Sequence, residues 1–311
     1  MGQIGMYEWY PYDLGYEGTI WRPPSEAKSL IIQATVGCSW NACTFCGNYR
    51  DRKFRIKSLE EIIRSIKLAK TLYGNSVRRV FLADGNALVM PTDKLLEILK
   101  ILKKEFPNIE RVSCYGGPRD ALQKTHSELQ ELYENGLKLV YLGVESGDDE
   151  VLRRVNKGVN SIEMIEACRK IIDSGMKLSI TVILGLAGKE GSYRHAVKTA
   201  DVLNKIDPHY LAPLTLMIVP GTPLHRDYER GLFKPLTPLE TLIELKTMIE
   251  NLELSNCIFR CNHASNYFPI GGTLPDDKEA MLDLLSEVIK KVKSNPSLEK
   301  RLLRPEYLRA L

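Results

Sequence analysis

Three closely spaced cysteines constrain this chain more than any other feature of its sequence. Cys38, Cys43 and Cys46 have the spacing C-x4-C-x2-C and come directly after an apolar, strand-like run, Leu30 to Val36. Cysteine thiolates bind iron, and three of them with no fourth nearby would leave one position of a [4Fe–4S] cluster without a protein ligand. We therefore expect a cluster on a loop, with one open iron that can bind a substrate.

Zinc binding and purely structural burial stay open as roles for these cysteines. A structural zinc site normally takes four ligands, often as two short pairs, and the remaining cysteines are far away in sequence: Cys114, Cys168, Cys257 and Cys261. Zinc would need one of them to be recruited by folding. Three buried structural cysteines are disfavoured because Gly37, Gly47 and Asn48 indicate a tight loop, whereas such cysteines usually lie within regular elements.

At this point the chain resembles the radical S-adenosylmethionine (SAM) superfamily. The signature of that superfamily is a three-cysteine loop after the first strand, with an aromatic residue before the last cysteine, and Phe45 occupies that position. The commonest spacing in the family is C-x3-C-x2-C, so this chain has one extra residue between Cys38 and Cys43. The resemblance implies a single [4Fe–4S] cluster and SAM as cofactors.

Composition and charge exclude several classes of protein. The 311 residues are 44% hydrophobic, which is enough for one large α/β core. A net charge of +4, from 43 basic and 39 acidic residues, is too balanced to favour a nucleic acid partner. We find no membrane-length apolar run and no signal segment. Seven cysteines in a chain of this length suit a reducing interior, so we expect a soluble cytoplasmic protein.

Apolar β-type runs alternate with helical patterns along the chain, as in proteins with a parallel sheet. The six predicted strands are Leu30–Val36, Val77–Ala83, Arg111–Tyr115, Leu137–Val144, Leu178–Leu184 and Tyr210–Val219. Capping boxes at Ser58 and Thr125 open two of the helices between them, and Ser161 is expected to cap a third, striped by Ile162, Ile165 and Ile172. Six units are too few for a closed eight-stranded barrel but match the partial (β/α)6 TIM-like barrel that the resemblance implies.

We divide the chain into three parts. Residues 1–29 are predicted to form an N-terminal extension packed on the barrel, and residues 30–236 the barrel itself. Residues 237–311 are predicted to be a C-terminal helical segment around an irregular polar loop, 257–275. In barrels the chemistry lies at the C-terminal ends of the strands, and the sequence motifs fall there.

Two strand ends resemble SAM-binding segments of the family. The segment Asp84-Gly85-Asn86 resembles the Gly-Gly-Glu segment of the family, which binds the methionyl amine of SAM. Gly85 and Asn86 are therefore candidate SAM contacts. The alternative is an ordinary turn between a strand and a helix. Glu145 ends the fourth strand in a segment similar to that of the methylthiotransferases, oxygen-independent coproporphyrinogen oxidases and Elongator catalytic subunit. The resemblance implies that Glu145 accepts hydrogen bonds from the ribose hydroxyls and that Lys157 binds the SAM carboxylate. The alternative for Glu145 is that its charge compensates the positive N-terminus of the following helix.

Weaker signals concern adenine, the reductant and the substrate. The fifth strand, with Thr181 and Gly185, resembles the family element that flanks adenine, although a buried strand ending at glycine fits it as well. The basic segment Arg50–Lys57 is a candidate docking patch for flavodoxin or ferredoxin, but a solvated loop or an anion site is equally compatible. His263, in the polar loop, is the candidate substrate contact or proton donor, and a histidine tied to its own backbone is the alternative.

Three functions therefore stay open. The favoured one is a radical SAM enzyme that abstracts hydrogen from a small or medium-sized substrate by way of a 5′-deoxyadenosyl radical. The second is a methyl or methylthio transferase that needs a partner protein. The third is a non-catalytic iron–sulfur or zinc binding redox module on a degenerate barrel, which the departures from the family motifs favour. Substrate, oligomeric state and reductant cannot be read from the sequence.

Overall fold

The sheet is the framework that brings the sequence motifs together. The structure is a computed structural model and describes residues 14–310. Its strands are β1 (Leu30–Gln33), β2 (Thr35–Val36), β3 (Arg55–Ile56), β4 (Arg79–Ala83), β5 (Arg111–Gly116), β6 (Leu137–Glu145), β7 (Lys177–Leu184), β8 (Tyr210–Thr215), β9 (Cys257–Cys261) and β10 (Ile270–Leu274). Eight of them form one sheet in the order β1-β4-β5-β6-β7-β8-β9-β10, parallel except for the pair β9–β10. The short strands β2 and β3 pair separately and are antiparallel.

Helices follow most of the strands in the sequence. They are α1 (Leu59–Tyr73), α2 (Thr92–Glu105), α3 (Pro118–Gln123), α4 (His126–Glu134), α5 (Asp149–Arg154), α6 (Ser161–Asp173), α7 (Ser192–Ile206), α8 (Pro223–Glu229), α9 (Pro238–Glu250), α10 (Lys278–Ser294) and α11 (Glu299–Leu302). Because parallel strands and helices alternate from β1 to β8, the predicted α/β partial barrel is confirmed.

Local capping chemistry explains where several helices begin. The predicted boxes at Ser58 and Thr125 are confirmed, since each hydroxyl accepts from the backbone of a glutamate three residues on. The cap predicted for α6 is wrong by one residue, because Asn160 and not Ser161 caps it. Its predicted stripe is wrong only for Ile162, which is 74% exposed; Ile165 and Ile172 are partly buried and pack beside the fully buried face of Met164, Ala167, Cys168 and Ile171.

The sheet separates two apolar regions. Alternate residues of a strand face opposite sides, so Val80 and Leu82 of β4 pack in the main core under the helices, whereas Phe81 and Ala83 face the barrel interior. Leu139 and Tyr141 of β6 join them there, with Ile20 of the N-terminal extension packed against this inner cluster.

Residues of the N-terminal extension contact the barrel. The buried carboxylate of Glu26 accepts hydrogen bonds from Arg111 at the start of β5 (2.7 Å) and from the Tyr141 hydroxyl (2.6 Å). The remainder of the predicted extension, residues 1–13, lies outside the described residues, and the predicted boundaries between the three parts of the chain stay a prediction.

The predicted polar loop, 257–275, needs correction. It contains β9 and β10, which continue the barrel sheet beyond the sixth strand. Cys257, Phe259 and Cys261 are buried and alternate with more exposed residues, which is the period of a half-buried strand. Irregular polar chain is confined to the connection between the two strands. The sixth predicted strand is also too long, because β8 ends at Thr215.

The helices between residues 14 and 310 are not of the membrane-spanning kind. None of them has both the length and the apolar character that crossing a membrane requires.

Candidate iron–sulfur and SAM site

The cysteine loop connects β2 to β3, at the edge where the parallel strands end. Cys38, Cys43 and Cys46 are free and partly exposed, whereas the other four cysteines are buried: Cys114, Cys168, Cys257 and Cys261. Burial raises the pKa of Cys43 to about 11 and also raises the pKa of Cys46. Binding of iron must therefore displace protons from these thiols, which the charge of a metal ion favours.

Hydrogen bonds hold the conformation of the cysteine loop, which includes the extra residue. Asn41 has a φ of 41°, in the left-handed region that asparagine tolerates, and its side-chain amide donates to the Tyr49 carbonyl at 2.8 Å. The guanidinium of Arg50 donates to the carbonyls of Cys46 (2.7 Å) and Cys43 (2.6 Å). The loop backbone is thus fixed between its second and third cysteines.

Gly85, after β4, is required by the cysteine loop. A Cβ at this position would lie 2.9 Å from the Gly37 carbonyl oxygen and 3.0 Å from the Cβ of Cys38, closer than packed atoms approach. The sequence predicted that this glycine lets SAM approach the backbone. The structure shows a different reason for glycine at this position, which is its close contact with the loop that carries the first cysteine.

The side chain of Asn86 is fully engaged by protein groups. Its amide nitrogen donates to the Ser39 hydroxyl at 2.8 Å and to the Asp120 carboxylate, and its oxygen accepts from the Gly117 backbone at 3.1 Å. Asn86 therefore joins the cysteine loop to the start of α3. While these hydrogen bonds are made, the side-chain amide of Asn86 has no free group for SAM, so the predicted contact would have to come from the Asn86 backbone.

Glu145 and Lys157 form a largely buried ion pair at the end of β6. The ammonium of Lys157 lies 2.9 Å from Glu145 Oε1, with the two side chains 10% (Lys157) and 12% (Glu145) exposed. Burial lowers the pKa of Lys157, but the charge of Glu145 and the hydrogen bond to its carboxylate raise it and the net shift is upward, so the side chain is a cation. Gly143 leaves room for the pair, since a Cβ there would overlap Glu145 Oε1.

The backbone of Glu145 has an uncommon conformation for its residue type. Its φ is 65°, and the register of β6 with β7 shifts between Gly143 and Glu145. Non-glycine residues in this region carry strain that the surrounding structure must hold, and bulges re-aim side chains at strand ends. Both features turn the Glu145 carboxylate towards Lys157 and the cysteine loop.

The end of β7 is held by a glutamate that sequence reasoning missed. Gly185, with a φ of 81°, donates its backbone N–H to the buried carboxylate of Glu244 at 2.7 Å, and His195 Nδ1 lies 3.2 Å from the same carboxylate. Since Glu244 is 59 residues from Gly185 and 49 from His195, no local pattern could have revealed the contact. Thr181, further back on β7, pairs with Gly143 of β6.

Phe45 packs into an apolar cluster between the cysteine loop and β7. The cluster consists of Val151, Val155, Ile183, Leu186 and Ala187. The aromatic residue before the last cysteine therefore joins the loop to the end of β7 and to α5.

His263 follows β9 at the same edge of the sheet and bonds locally. Its Nδ1 accepts from the Ser265 backbone N–H at 3.1 Å and lies 3.0 Å from the Ser265 hydroxyl. Burial, and then the charge of Arg304, lower the pKa of His263. This is the backbone-tied arrangement named as the alternative from sequence, and a substrate contact by His263 stays a prediction.

The basic segment Arg50–Lys57 is largely neutralised by its neighbours. Arg52 pairs with Asp51 at 2.8 Å, Arg55 with Glu61 at 2.8 Å, and the buried Lys57 lies 3.7 Å from Glu17. Arg50 and Lys53 are the exposed cations of the segment. Docking of an electron donor here stays a prediction.

The donor set fits an iron–sulfur cluster better than a single metal ion. Among residues 14–310, no group of three or more histidine, cysteine, aspartate or glutamate side chains is placed to hold one ion. A [4Fe–4S] cluster requires a different arrangement, because each cysteine binds a different iron and the thiolates are spread around the cluster. Cys38, Cys43 and Cys46 are free, partly exposed and on one loop, so all three are available as ligands of such a cluster.

Known proteins share sequence or fold with much of this chain. A protein of Methanocaldococcus jannaschii that carries the provisional name of methylthiotransferase is 25% identical over 167 residues, which cover 50% of this chain and 35% of that protein. Methylornithine synthase has a similar fold, with a TM-score of 0.51 at 20% identity over 73% of this chain and 63% of that one. Coproporphyrinogen III oxidase from Escherichia coli does too, with a TM-score of 0.52 at 16% identity over 71% and 51%.

The shared region is the part of the chain that carries the motifs. The chain spans 53% and 35% of the lengths of the first two curated relatives that it matches. Residues 32–200, more than half of the chain, match the model of the radical SAM superfamily, and this range contains all the predicted cluster and SAM residues. The chain therefore belongs to the radical SAM superfamily of enzymes.

Proposed function

We propose that this chain holds one [4Fe–4S] cluster on Cys38, Cys43 and Cys46 and cleaves SAM reductively beside it. The observation that carries this proposal is the contact between the cysteine loop and the turn that carries Lys157: the Thr44 N–H donates to the Val155 carbonyl at 2.9 Å, and the Trp40 indole donates to the Asn156 carbonyl at 2.7 Å. When bound, the reduced cluster with SAM supplies a 5′-deoxyadenosyl radical, which abstracts hydrogen from a substrate. Membership of the superfamily supports both cofactors.

We assign the predicted contacts as follows. The cation of Lys157 holds the SAM carboxylate, and Glu145 accepts from the ribose hydroxyls. The backbone at Gly85 and Asn86 receives the methionyl amine, whereas Phe45, Thr181 and Gly185 flank adenine. Because Lys157 and Glu145 already pair at 2.9 Å, both side chains are ordered at one place before a ligand arrives, which reduces the entropy that binding costs.

Several side chains of this chain shield the site from water. The rings of Phe81, Tyr115 and Tyr141, from the three neighbouring strands β4, β5 and β6, pack edge to face with ring centroids 5.0 to 6.2 Å apart. Such an apolar lining excludes solvent from a reactive radical. We infer that the substrate enters between this cluster and the cysteine loop.

The experiment that tests the proposal measures SAM cleavage. The protein is reconstituted anaerobically with iron and sulfide, reduced with dithionite and given SAM, and 5′-deoxyadenosine is quantified. We expect product from the wild type and from Cys261→Ala, which changes a cysteine buried in the main core, but none from Cys38→Ala, Cys43→Ala or Cys46→Ala. Product that survives loss of a loop cysteine would contradict the assignment.

Two alternatives have distinct readouts. The provisional name of the archaeal relative favours a methyl or methylthio transferase that needs a partner, and stoichiometric S-adenosylhomocysteine would identify it. That relative and the fold of coproporphyrinogen III oxidase also support placing the core with the methylthiotransferase and coproporphyrinogen oxidase type. A non-catalytic iron–sulfur or zinc module would bind metal yet neither bind nor cleave SAM.

We also propose that flavodoxin or ferredoxin docks at the exposed end of the basic segment, Arg50 and Lys53. Opposite charges accelerate encounter and are screened by salt. Lys53→Glu should slow turnover driven by the donor protein and weaken its salt dependence, whereas turnover driven by dithionite should not change. Equal donor-driven rates in both proteins would contradict docking at this place.

A further inference from the structure

The segment between Cys38 and Cys43 contains Trp40, whose side chain contacts the turn around Lys157. The Trp40 indole donates to the carbonyl of Asn156 at 2.7 Å. Its ring lies against Gly158, where a Cβ would come within 2.6 Å of a ring carbon. The guanidinium of Arg119 covers the ring at 4.4 Å from the centroid. Trp40 is therefore held between Arg119 and the two residues that flank Lys157.

Two further hydrogen bonds join the same loop to the same turn. The backbone N–H of Thr44 donates to the carbonyl of Val155 at 2.9 Å, and the Asn156 amide donates to the carbonyl of Ala42 at 3.2 Å. The loop between the first and last cysteines is thus joined to the turn at three points. A shift of the loop must be transmitted to the turn.

The turn has a backbone that leaves Lys157 little freedom. Asn156 and Gly158, on either side of Lys157, have positive φ values of 53° and 83°. Only glycine adopts such values without cost, and Gly158 also has no side chain to displace Trp40. From this turn the Lys157 side chain reaches Glu145, with its ammonium 2.9 Å from Oε1.

We propose that Trp40 is a positioning residue that sets the place of Lys157 relative to the cluster. This inference rests on the proposed role of Lys157 as the partner of the SAM carboxylate. Trp40 reaches the turn from the cysteine loop itself, so its side chain, together with the two hydrogen bonds above, sets the distance between the iron ligands and the carboxylate partner. Small displacements of such a partner have large effects on binding and rate.

The test compares SAM affinity at constant cluster content. Trp40→Phe keeps an aromatic ring but loses the indole N–H. We expect it to retain the iron and sulfide content of the wild type and to raise the Kd for SAM by up to about fivefold, because the free energy of one hydrogen bond is the most that its loss can transmit to SAM binding. The Kd is read from the change that SAM causes in the EPR spectrum of the reduced cluster.

A matched control separates positioning from general loosening of the loop. Arg50→Gln also removes hydrogen bonds of the loop backbone, but these bonds end on Cys43 and Cys46 and do not involve the Lys157 turn. We expect it to change the Kd less than Trp40→Phe does. Equal increases in both variants would overturn the proposal.

A double-mutant cycle identifies the route of the effect. If Trp40 acts through Lys157, Trp40→Phe should have no effect on the Kd in a Lys157→Met background, because effects of coupled residues do not add. Additive effects would overturn the inference while leaving the proposed function intact. A wild type whose cluster does not respond to SAM would instead refute the proposed function, and this inference with it.

Discussion

At the scale of single residues, the ion pair Glu145–Lys157 should contribute both to SAM binding and to the stability of the folded protein. Lys157→Met leaves a carboxylate unpaired in a largely buried place, which costs about 3–5 kcal/mol of folding free energy. It also removes a charged hydrogen bond to SAM, so the Kd for SAM should rise about tenfold or more. Urea unfolding and SAM titration measure the two effects.

The double variant separates these two effects. Glu145→Gln in the Lys157→Met background removes the unpaired charge, so stability should recover while SAM affinity does not. Recovery of both would mean that Lys157 contributes to SAM binding only through folding.

Gly85 tests whether contact with the cysteine loop retains the cluster. Gly85→Ala places a methyl group 2.9 Å from the Gly37 carbonyl oxygen, so the loop must move and reconstituted iron per chain should fall. Gly271→Ala creates a comparable contact, 2.9 Å from the Phe259 carbonyl oxygen in β9, and should lower stability without loss of iron. Equal iron content in both variants would contradict this role of Gly85.

Individual site residues differ in how far the sequence predicts them. Glu145 and Lys157 are twelve residues apart and were predicted together because the family segment contains both. Their mutual ion pair was not predicted, since it depends on the bulge and positive φ at Glu145. Asn86 was predicted as a contact to SAM, whereas its partners come from two other segments of the chain. The sequence shows residue types, but side-chain partners require the fold.

At the scale of elements, Asp148 joins α5 to α7. Its buried carboxylate caps α5 and accepts from Arg194 (2.6 Å) and Lys198 (3.2 Å) of α7. Burial raises the pKa of Asp148, but the hydrogen bonds from Arg194 and Lys198 outweigh burial and lower it. Its contribution to stability is therefore complete above the ordinary aspartate pKa, about 3.9, and is lost as pH falls through the lower pKa of the folded state.

This linkage predicts a pH-dependent difference between two proteins. Asp148→Asn should unfold at lower urea concentration than the wild type at neutral pH. The difference should shrink as the pH falls below about 4, because the Asp148 carboxyl is then protonated in the unfolded chain while the ion pairs keep it ionised in the folded one. A difference that stays constant down to the pKa of the folded state would contradict the assigned ion pairs.

Elements with long apolar runs were predicted well and short ones poorly. The first five barrel strands start within two residues of the predicted positions, because they are buried on both faces. β9 and β10 are five residues each, and the polar connection between them hid their alternation. The cap of α6 was misplaced by one residue because asparagine and serine are both good caps.

At the scale of the whole molecule, one edge of one sheet gathers the motifs. Cys46 ends the cysteine loop after β2, Asn86 follows β4, Glu145 ends β6, Gly185 follows β7 and His263 follows β9. Parallel strands place their C-terminal ends on the same side, so residues scattered over most of the chain come together. The order of motifs predicted this convergence, whereas the closing contacts of Glu244 and Trp40 needed the folded chain.

The most direct test of the central claim is the EPR spectrum of the reduced, reconstituted protein with and without SAM. We predict a [4Fe–4S] signal that SAM changes in the wild type, and a weaker or missing change at equal cluster content in Lys157→Met. A protein that holds zinc, or a cluster whose spectrum SAM leaves unchanged, would contradict the claim that the three cysteines hold a SAM-binding cluster beside Glu145 and Lys157.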